Sequence, residues 1–345
     1  MILPTTRIRL SIIAILAVLN FAACAWGQPC HASAYLEKAH EYEKQGFTGN
    51  LLALSFYNKY VSATASDALA LASRKNCIDS LKAGKFSQPV EPDAATRQEI
   101  EHFLDQMEQT WNAHQIDAVA RLYSPDYINN DGLNKDEVSD LTADFWKTYP
   151  DGNCKSVVKS IWMDGEFAIV SSRDTATGTS AKPMSGVGLS GNLSSVSEGY
   201  MFMRRGNGSF LITADIVERE ETKVSFGTVN AQFSAPEHAA PGSSFEATVT
   251  YASPTHRSAV CSITSQPLQY PQPTPTEVWR RMETDQVTRR MEADSKGRNE
   301  VVMATIGKTD ALRPKLDGIE ILTRRLNVAP TVDIEQARMQ ARRIN

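Results

Sequence analysis

Apolar residues recur along the chain at two different spacings, and the changes between them divide it into regions. In residues 28–90 the spacing is helical, which predicts a small helical segment. Residues 94–220 begin with helical spacing and continue with alternating apolar and polar residues. Residues 222–328 consist mainly of short strand-like runs separated by turn residues. Residues 329–345 indicate a loose, partly helical, basic tail.

The central region predicts the order helix, helix, strand, helix, followed by an antiparallel sheet. Its third helix is expected over Lys135–Trp146. Beyond it lie the turn sequences Asp164-Gly165 and Gly206-Asn207-Gly208, each flanked by alternating residues. These turns predict two hairpins, Val157–Met163 with Phe167–Ser172 and Val196–Arg204 with Phe210–Val217.

The region 222–328 predicts a β-rich, sandwich-like domain with one inserted helix. That helix is expected over Thr276–Ser295, where Glu277 with Arg281 and Asp285 with Arg289 stand four residues apart, a spacing that pairs charges on a helix. The strands on either side of the helix are expected over Ser244–Tyr251, Val260–Thr264, Val301–Ile306 and Ile319–Val328.

The central region also resembles a known fold family. The residues that carry the resemblance are Ile100-Glu101-His102-Phe103-Leu104, Trp111-Asn112, Ile116-Asp117, Arg121 to Tyr127, Asp131-Gly132 and Gly208 to Thr213. With these residues, residues 94–220 resemble the SnoaL-like branch of the nuclear transport factor 2-like superfamily. The resemblance implies a cone-shaped α+β domain, whose sheet wraps around one pocket roofed by the first helices. It concerns the fold and implies no particular reaction.

The resemblance draws attention to Asp131, which stands where steroid isomerases of this fold hold a proton-shuttling carboxylate. A carboxylate in an apolar pocket has a raised pKa and is able to act as a general base. Those isomerases also use a hydroxyl donor on the first helix, and the matching residue here is Met107, which has no hydrogen to donate. Asp131 is therefore a candidate catalytic base, and a plain turn residue in an Asp-Gly pair is the alternative.

Further candidates lie on the hairpins and among the aromatic residues. Alternation places Glu198 and Tyr200 on one face of their strand, and Asp215 on a face with Leu211 and Thr213. Carboxylates that point inward make the pocket suit a cationic or hydroxyl-rich ligand, whereas a register slip of one residue turns them to solvent. The candidate ligand-binding residues are Trp111, Tyr127, Trp146, Trp162, Glu198, Tyr200 and Asp215. Ordinary core packing is the alternative for the aromatic residues among them.

Charge and motif content narrow the function classes. The formal net charge of −4 comes from interspersed acidic and basic residues, so the sequence lacks the basic surface that binds nucleic acid. It contains no Cys-x-x-Cys pair, no Gly-x-Ser-x-Gly elbow and no glycine-rich phosphate loop. These absences argue against a zinc site, a nucleophilic hydrolase and a nucleotide enzyme. We expect no metal and no cofactor.

Residues 1–27 have the build of a secretory signal peptide, with arginines before a short apolar run and small residues after it. The protein is therefore expected in the periplasm, at the outer membrane or outside the cell. The run Phe21-Ala22-Ala23-Cys24 resembles a bacterial lipobox, which implies a lipid anchor on Cys24 and no other contact with the membrane. Ordinary cleavage after Ala25 or Gly27 is the open alternative.

In an oxidising compartment, the four cysteines that remain beyond Cys24 permit two disulfides. Cys30 and Cys77 both flank the helical segment, so we expect them to pair. Cys154 with Cys261 is the second predicted pair, and it links the central and C-terminal regions.

Three functions remain open at this stage. The first is a small apolar or amphipathic ligand bound in the central pocket, or an assembly module, without catalysis. The second is a small isomerase, cyclase or hydratase with Asp131 as the general base. The third is a purely structural cell-envelope protein whose β-rich domain docks onto a wall or membrane partner and whose central domain forms a homodimer through its sheet. The lack of a hydroxyl donor at Met107 favours the first function.

Overall fold

The computed structural model describes residues 32–64, 67–184, 187–206, 208–251, 259–309 and 316–341. The predicted signal peptide, the lipobox cysteine Cys24 and Cys30 lie outside these ranges. In the described part of the chain, no helix has the length and apolar character needed to cross a membrane.

The N-terminal part is helical, as predicted. Its helices are α1 (Ala32–Tyr42), α2 (Gly46–Thr64) and α3 (Ala68–Lys82). Apolar side chains of α2, such as Phe47 and Leu51, form one core with Phe202 and Ile216 of the sheet described below. These helices therefore do not form an independent bundle, because their apolar side is covered by the outer face of the central sheet.

The central part has the element order that the sequence predicts. Its helices are α4 (Ala94–Asn112), α5 (Ile116–Arg121) and α6 (Lys135–Thr148), with strand β1 (Tyr123–Asn129) between the last two. Asp93 caps α4, and Asn134 with Glu137 forms a capping box at the start of α6. Four long strands follow: β2 (Asn153–Asp164), β3 (Phe167–Thr179), β4 (Asn192–Gly206) and β5 (Ser209–Phe226). This order matches the one that the nuclear transport factor 2-like resemblance implies.

The C-terminal part extends the same sheet and also forms a second one. Its strands are β6 (Gln232–Ser234), β7 (Ser244–Thr250), β8 (Ala259–Pro267), β9 (Arg280–Arg281), β10 (Gln286–Glu292), β11 (Glu300–Thr309) and β12 (Leu316–Leu326). The large sheet has the order β2-β3-β4-β5-β12-β11-β8-β9, with β1 paired to β5 as well. Strands β10, β7 and β6 form a second, smaller sheet, which packs on the first through an apolar core.

Strand β5 belongs to both halves of the large sheet. It pairs with β4 along most of its length, while its other edge pairs in parallel with β1 near Ile212 and antiparallel with β12 near Val224. The predicted boundary between residues 220 and 222 therefore falls inside a continuous strand. The central and C-terminal parts share a sheet and are not joined by a free linker.

The prediction of a helix over Thr276–Ser295 is wrong, because this segment forms strands. This segment contains β9 and β10, and β10 pairs with β7 at seven successive positions. Val287 and Met291 stand four residues apart, which suits one helix face and equally one strand face, and both pack against the core between the two sheets. A continuous backbone ladder outweighs charge pairs that each contribute about 0.2–0.5 kcal/mol to a helix.

The tail is more ordered than its composition suggests. Helix α7 (Ile334–Gln340) buries Ile334 and Ala337 in the core that contains α2. The guanidinium of Arg338 lies over the ring of Trp162, 4.1 Å from its centroid. The described part of the tail is therefore a packed helix, held by apolar contacts and by a cation–π contact.

The predicted bond between Cys154 and Cys261 does not form, and both residues are free thiols. Cys154 lies on β2, at one edge of the large sheet, whereas Cys261 lies on β8, six strands away in the sheet order. Strands are spaced by about 4.8 Å, so the separation is on the order of 29 Å, far beyond the reach of a disulfide. Cys77 is a buried thiol near the carboxylate of Glu43, and its predicted partner Cys30 lies outside the described residues.

A buried ion pair joins the two halves of the molecule. Arg325, near the end of β12, donates from Nη1 to Oδ2 of Asp131 at 3.0 Å and from Nη2 to Oδ1 at 2.5 Å. Both side chains are almost fully buried, at 1% and 2% exposure. Asn299, the residue before β11, donates to the same carboxylate at 3.0 Å, so the charge of Asp131 is satisfied by two residues that are distant from it in the chain.

Loss of one member of this pair is expected to destabilise the protein strongly. Asp131→Ala leaves the guanidinium of Arg325 buried without its counter-ion, and we expect the free energy of unfolding to fall by about 3–5 kcal/mol. Denaturant unfolding followed by circular dichroism measures the change. The control is Glu99→Ala, which removes the partner of Arg205 in an exposed ion pair and should cost less than about 1 kcal/mol. Equal losses in the two variants would contradict the structural role of Asp131.

Candidate functional site

A cavity lies between helix α4 and the inner face of the sheet formed by β2 to β5. It encloses about 210 Å³. Its walls are largely apolar, and they include Leu104, Met107, Trp111, Val158, Val170 and Met201. The curvature of the sheet creates this space, and the apolar side of α4 covers it, as the fold resemblance implies.

A bulge in β5 decides which side chains face the cavity. Met203 pairs with Ile212 and Phe202 with Ala214, so Thr213 is an extra residue without a partner of its own. Beyond the bulge the alternation is shifted by one residue, and Asp215 points into the cavity while Ala214 and Ile216 belong to the core beneath α2. The prediction that Asp215 shares a face with Thr213 is therefore wrong, although Asp215 does line the pocket.

Asp215 is held by one neighbouring hydroxyl. Tyr127, from β1, donates from its hydroxyl to Oδ2 of Asp215 at 2.8 Å, and among the described residues this is the hydrogen bond that the carboxylate receives. Burial raises the pKa of Asp215 to about 7, the hydroxyl of Tyr127 opposes this rise, and the nearby carboxylate of Asp174 adds to it. Asp215 thus changes its protonation state near neutral pH.

A second carboxylate faces the same space from β3. Asp174 accepts hydrogen bonds from the hydroxyls of Ser156 at 2.6 Å and Ser172 at 3.1 Å. Burial raises the pKa of Asp174, the two serine hydroxyls oppose the rise, and the charge of Glu108 adds to it. Glu108 also lines the cavity, and it accepts the backbone N–H of Ser156 at 2.8 Å.

At the edge of the cavity a third acid, Glu198, is paired with cations. Its carboxylate lies 2.8 Å from Lys159 and 3.6 Å from Arg173, and its side chain is 31% exposed. The hydrogen bond from Lys159 is the main reason that the pKa of Glu198 is lowered. Glu198 is therefore a charged residue on the face of the sheet opposite to Asp174, because it pairs across the strands with Arg173.

The structure brings most of the candidate ligand-binding residues together. The side chains of Trp111, Tyr127 and Asp215 face the cavity, whereas Glu198 and Tyr200 border it from β4 with side chains on the opposite face, Glu198 beside Arg173. Tyr200 also belongs to the core beneath α1 and α2.

Three other candidates do not line this cavity. The ring of Trp146 stacks on His114 at 4.9 Å between centroids, and Trp162 packs beneath Arg338 on the outer side of the sheet. Asp131 is occupied by Arg325. The cavity is lined by Asp215, Asp174 and Glu108 and not by Asp131, so Asp131 is not placed to act as a general base on a molecule in this space.

Sequence reasoning did not identify Asp174, Ser156, Tyr123 or Glu108. The predicted hairpin strand ends at Ser172, but β3 continues to Thr179 and carries Asp174 within it. The alternation of Ser172, Asp174 and Ala176 was a usable signal, since these small and polar residues share one face of the strand and all line the cavity.

A larger groove of about 480 Å³ lies between the two sheets, and its charged residues are already paired. Lys223 is 2.6 Å from Glu320, and Arg324 is 2.9 Å from Glu221. The groove is open and its ionic groups satisfy one another, so the cavity beneath α4 is the better candidate site. Within the described ranges, no three histidine, cysteine or acidic side chains are grouped so as to hold a metal ion.

Comparison with known proteins gives similarities of shape only. No protein-family model matches the sequence, and no curated protein matches it. Among solved structures, a candidate scytalone dehydratase from Novosphingobium aromaticivorans is similar with a TM-score of 0.31 and 13% identity, covering 36% of this chain and 83% of its own. Aln2 from a Streptomyces species has a TM-score of 0.31 and 12% identity, with 37% and 93% covered. ActVI-ORFA from Streptomyces coelicolor has a TM-score of 0.28 and 11% identity, with 36% and 95% covered.

The raised pKa of Asp215 predicts a pH-dependent stability. Its folded-state value of about 7 lies above the ordinary value of 3.8, so the folded protein holds this proton more tightly than the unfolded chain does. The stabilisation from this proton is complete below about pH 4 and is lost as the pH rises through about 7. Asp215→Asn should therefore be more stable than the wild type at pH 8, by up to about 4 kcal/mol, and this difference should disappear toward pH 4.

Denaturant unfolding of both proteins between pH 4 and pH 8 measures this difference. Glu218 also has a pKa of about 7, so the comparison between variants, and not the wild-type curve alone, isolates Asp215. Asp105→Asn, on the exposed side of α4, is the matched control and should follow the wild type at every pH. A stability difference for Asp215→Asn that does not vary with pH would contradict the assignment.

Proposed function

We propose that the cavity beneath α4 binds one small amphipathic molecule. The observation that carries the proposal is a partly enclosed space with apolar walls and a hydrogen-bonded polar pair, Tyr127 with Asp215, on one side. Small-molecule sites have this composition, since apolar walls supply affinity and a few polar groups set the orientation of the ligand.

The size of the cavity limits the ligand. Water takes up about 30 Å³ per molecule in the liquid, so 210 Å³ corresponds to about seven waters. A single substituted aromatic ring suits this volume. The ring of Trp111 and the side chain of Met107 on α4 offer a contact surface for such a ring.

A side chain that fills the cavity should weaken the binding of a small ligand there. Met107→Trp adds an indole to the wall, and we expect it to weaken the binding of 2-phenylethanol at least about tenfold, because the ligand and the indole compete for the same space. Ligand-observed NMR titration measures the affinity. Met339→Trp introduces the same ring at an exposed position on α7 and should leave binding unchanged. Equal binding by both variants would place the ligand elsewhere.

Acid–base catalysis at Asp215 is the second candidate function. The observation that favours it is a carboxyl group with a pKa of about 7 facing an apolar cavity, since a general base works best when its pKa is near the ambient pH. This proposal keeps the isomerase or hydratase chemistry that the sequence suggests, but it assigns the base to Asp215 in place of Asp131.

Exchange of the α-protons of 1-phenylpropan-2-one in D₂O, followed by NMR, tests this second candidate. A catalytic Asp215 should accelerate the exchange, and Asp215→Asn should lose at least about 100-fold of the acceleration while the fold is kept. Asp105→Asn should retain it in full. Exchange at the buffer rate with wild-type protein would leave ligand binding as the function.

The proposed function also includes a location outside the cytoplasm. We propose that the protein is exported, on the basis of the signal-like residues 1–27, and that it is either lipid-anchored at Cys24 or released after cleavage at Ala25 or Gly27. The mass of the mature N-terminal peptide distinguishes these outcomes. We also propose that two copies associate through the central sheet, and that the second sheet docks onto the cell envelope.

A further inference from the structure

We infer that the ligand of this cavity carries a protonated amine, and that Asp215 and Asp174 receive it. The inference rests on the proposed function, since it names the chemical class of the molecule that the cavity binds. Three features support it: the charges that line the cavity, the hydrogen bonds of the two aspartates and the aromatic rings beside them.

The charges that line the cavity have one sign. Three carboxylates face it, from Glu108, Asp174 and Asp215, whereas none of the residues along its described lining is a lysine, arginine or histidine. Glu198 lies on the opposite face of β4, paired with Lys159 and Arg173, whereas the side-chain hydrogen bonds that Asp174 and Asp215 receive from described residues come from hydroxyl groups. Lys159, whose charge acts on Asp174, is itself paired with Glu198, so an anionic ligand would meet the carboxylates of the cavity and is disfavoured.

The two deep aspartates have unused capacity to accept hydrogen bonds. A carboxylate has about four acceptor sites. Asp215 receives one hydrogen bond, from Tyr127, and Asp174 receives one at each oxygen, from Ser156 and Ser172. Asp215 is only partly buried although it lies deep in the fold, because its accessible surface faces the cavity. A ligand in the cavity therefore contacts carboxylate oxygens that can accept further hydrogen bonds.

The acidic groups of the cavity also repel one another. The charge of Asp174 raises the pKa of Asp215, and the charge of Glu108 raises the pKa of Asp174. A cation placed among them removes this repulsion and restores the charged forms that burial disfavours. An ammonium group donates up to three hydrogen bonds, which fits several acceptors converging on one space.

Aromatic rings that are able to bind a cation also line the cavity. Tyr123 and Tyr127 meet edge to face, with centroids 4.7 Å apart, and both line the cavity beside Asp215. Trp111 lines it from α4. The faces of such rings attract cations, and the attraction is strongest where water is excluded. An arylalkylamine places its ring against Trp111 and Met107 and its ammonium group toward Asp215.

Three compounds of nearly equal shape and size test the inference: 2-phenylethylamine, 2-phenylethanol and phenylacetate. At pH 8 we expect the amine to bind at least about tenfold tighter than the alcohol, because charge-assisted hydrogen bonds are stronger than neutral ones, and the carboxylate to bind weakest. Isothermal titration calorimetry with the full mature chain measures all three affinities.

Variants locate the effect. Asp215→Asn should reduce the advantage of the amine over the alcohol to about twofold or less, and Asp174→Asn should reduce it in part. Asp105→Asn is the matched control, since it makes the same change on the exposed side of α4, and it should bind like the wild type.

The pH dependence supplies an independent readout. As the pH falls from 8 to 5, Asp215 takes up a proton and amine binding should weaken, whereas the affinity for the alcohol should change little. The titratable and charged groups that act on Asp215 and Asp174 from the surrounding elements are Tyr123, Tyr127, Glu108, Cys154 and Lys159. Burial raises the pKa of Cys154 to about 12, so its thiol stays neutral over this range.

The outcomes separate the two proposals. Tighter binding of the amine that is lost in Asp215→Asn supports the inference. Equal binding of amine and alcohol overturns it and leaves the proposed small-molecule site standing. Tighter amine binding that neither Asp215→Asn nor Asp174→Asn weakens also overturns it, since the cation would then bind at another place. Failure of all three compounds to bind contradicts the proposed function itself.

Discussion

The shared edge of strand β5 is the constraint on which the rest of the structure depends. One edge of β5 pairs with β4, but the other is divided between β1, which runs parallel, and β12, which runs antiparallel. Buried backbone groups in the gap between these two strands need partners. Asn130 supplies them by exchanging side-chain hydrogen bonds with the backbone of Val217, and Asn327 donates to the carbonyl of Glu218 at 2.6 Å. The ion pair of Asp131 with Arg325 closes the same junction.

Two aspartates within one fold illustrate how surroundings determine chemistry. Asp131 and Asp215 both lie close to the junction of β1 with β5, yet Asp131 meets a buried guanidinium and Asp215 meets a tyrosine hydroxyl and an apolar cavity. The first carboxylate is neutralised by the protein and serves to hold two halves together. The protonation state of the second carboxyl group depends on the pH and on what lies in the cavity. For this reason Asp215, and not Asp131, is the candidate functional acid.

Much of the architecture could be predicted from sequence because its signals are local. Apolar spacing and capping residues such as Asp93 and Asn134 indicate helices α4 and α6, and the Asp164-Gly165 turn marks the first hairpin. The prediction of a helix over Thr276–Ser295 is wrong. Val287 and Met291 stand four residues apart, a spacing that both a helix and a strand allow, so local spacing does not distinguish the two structures. Pairing with β7, a strand more than thirty residues earlier in the chain, decides the matter.

The sequence by itself determined the order of elements in the central part, the helical N-terminal segment and the aromatic and acidic residues from which a pocket is built. Only the tertiary structure decided which of those acids enter the pocket. The bulge at Thr213 shifts Asp215 to the inner face, and the extension of β3 beyond Ser172 brings Asp174 beside it. The physical reason is that side chains alternate between the two faces of a strand with every residue. A single unpaired residue, set by long-range pairing and invisible to local spacing, therefore reverses which side chains are inside.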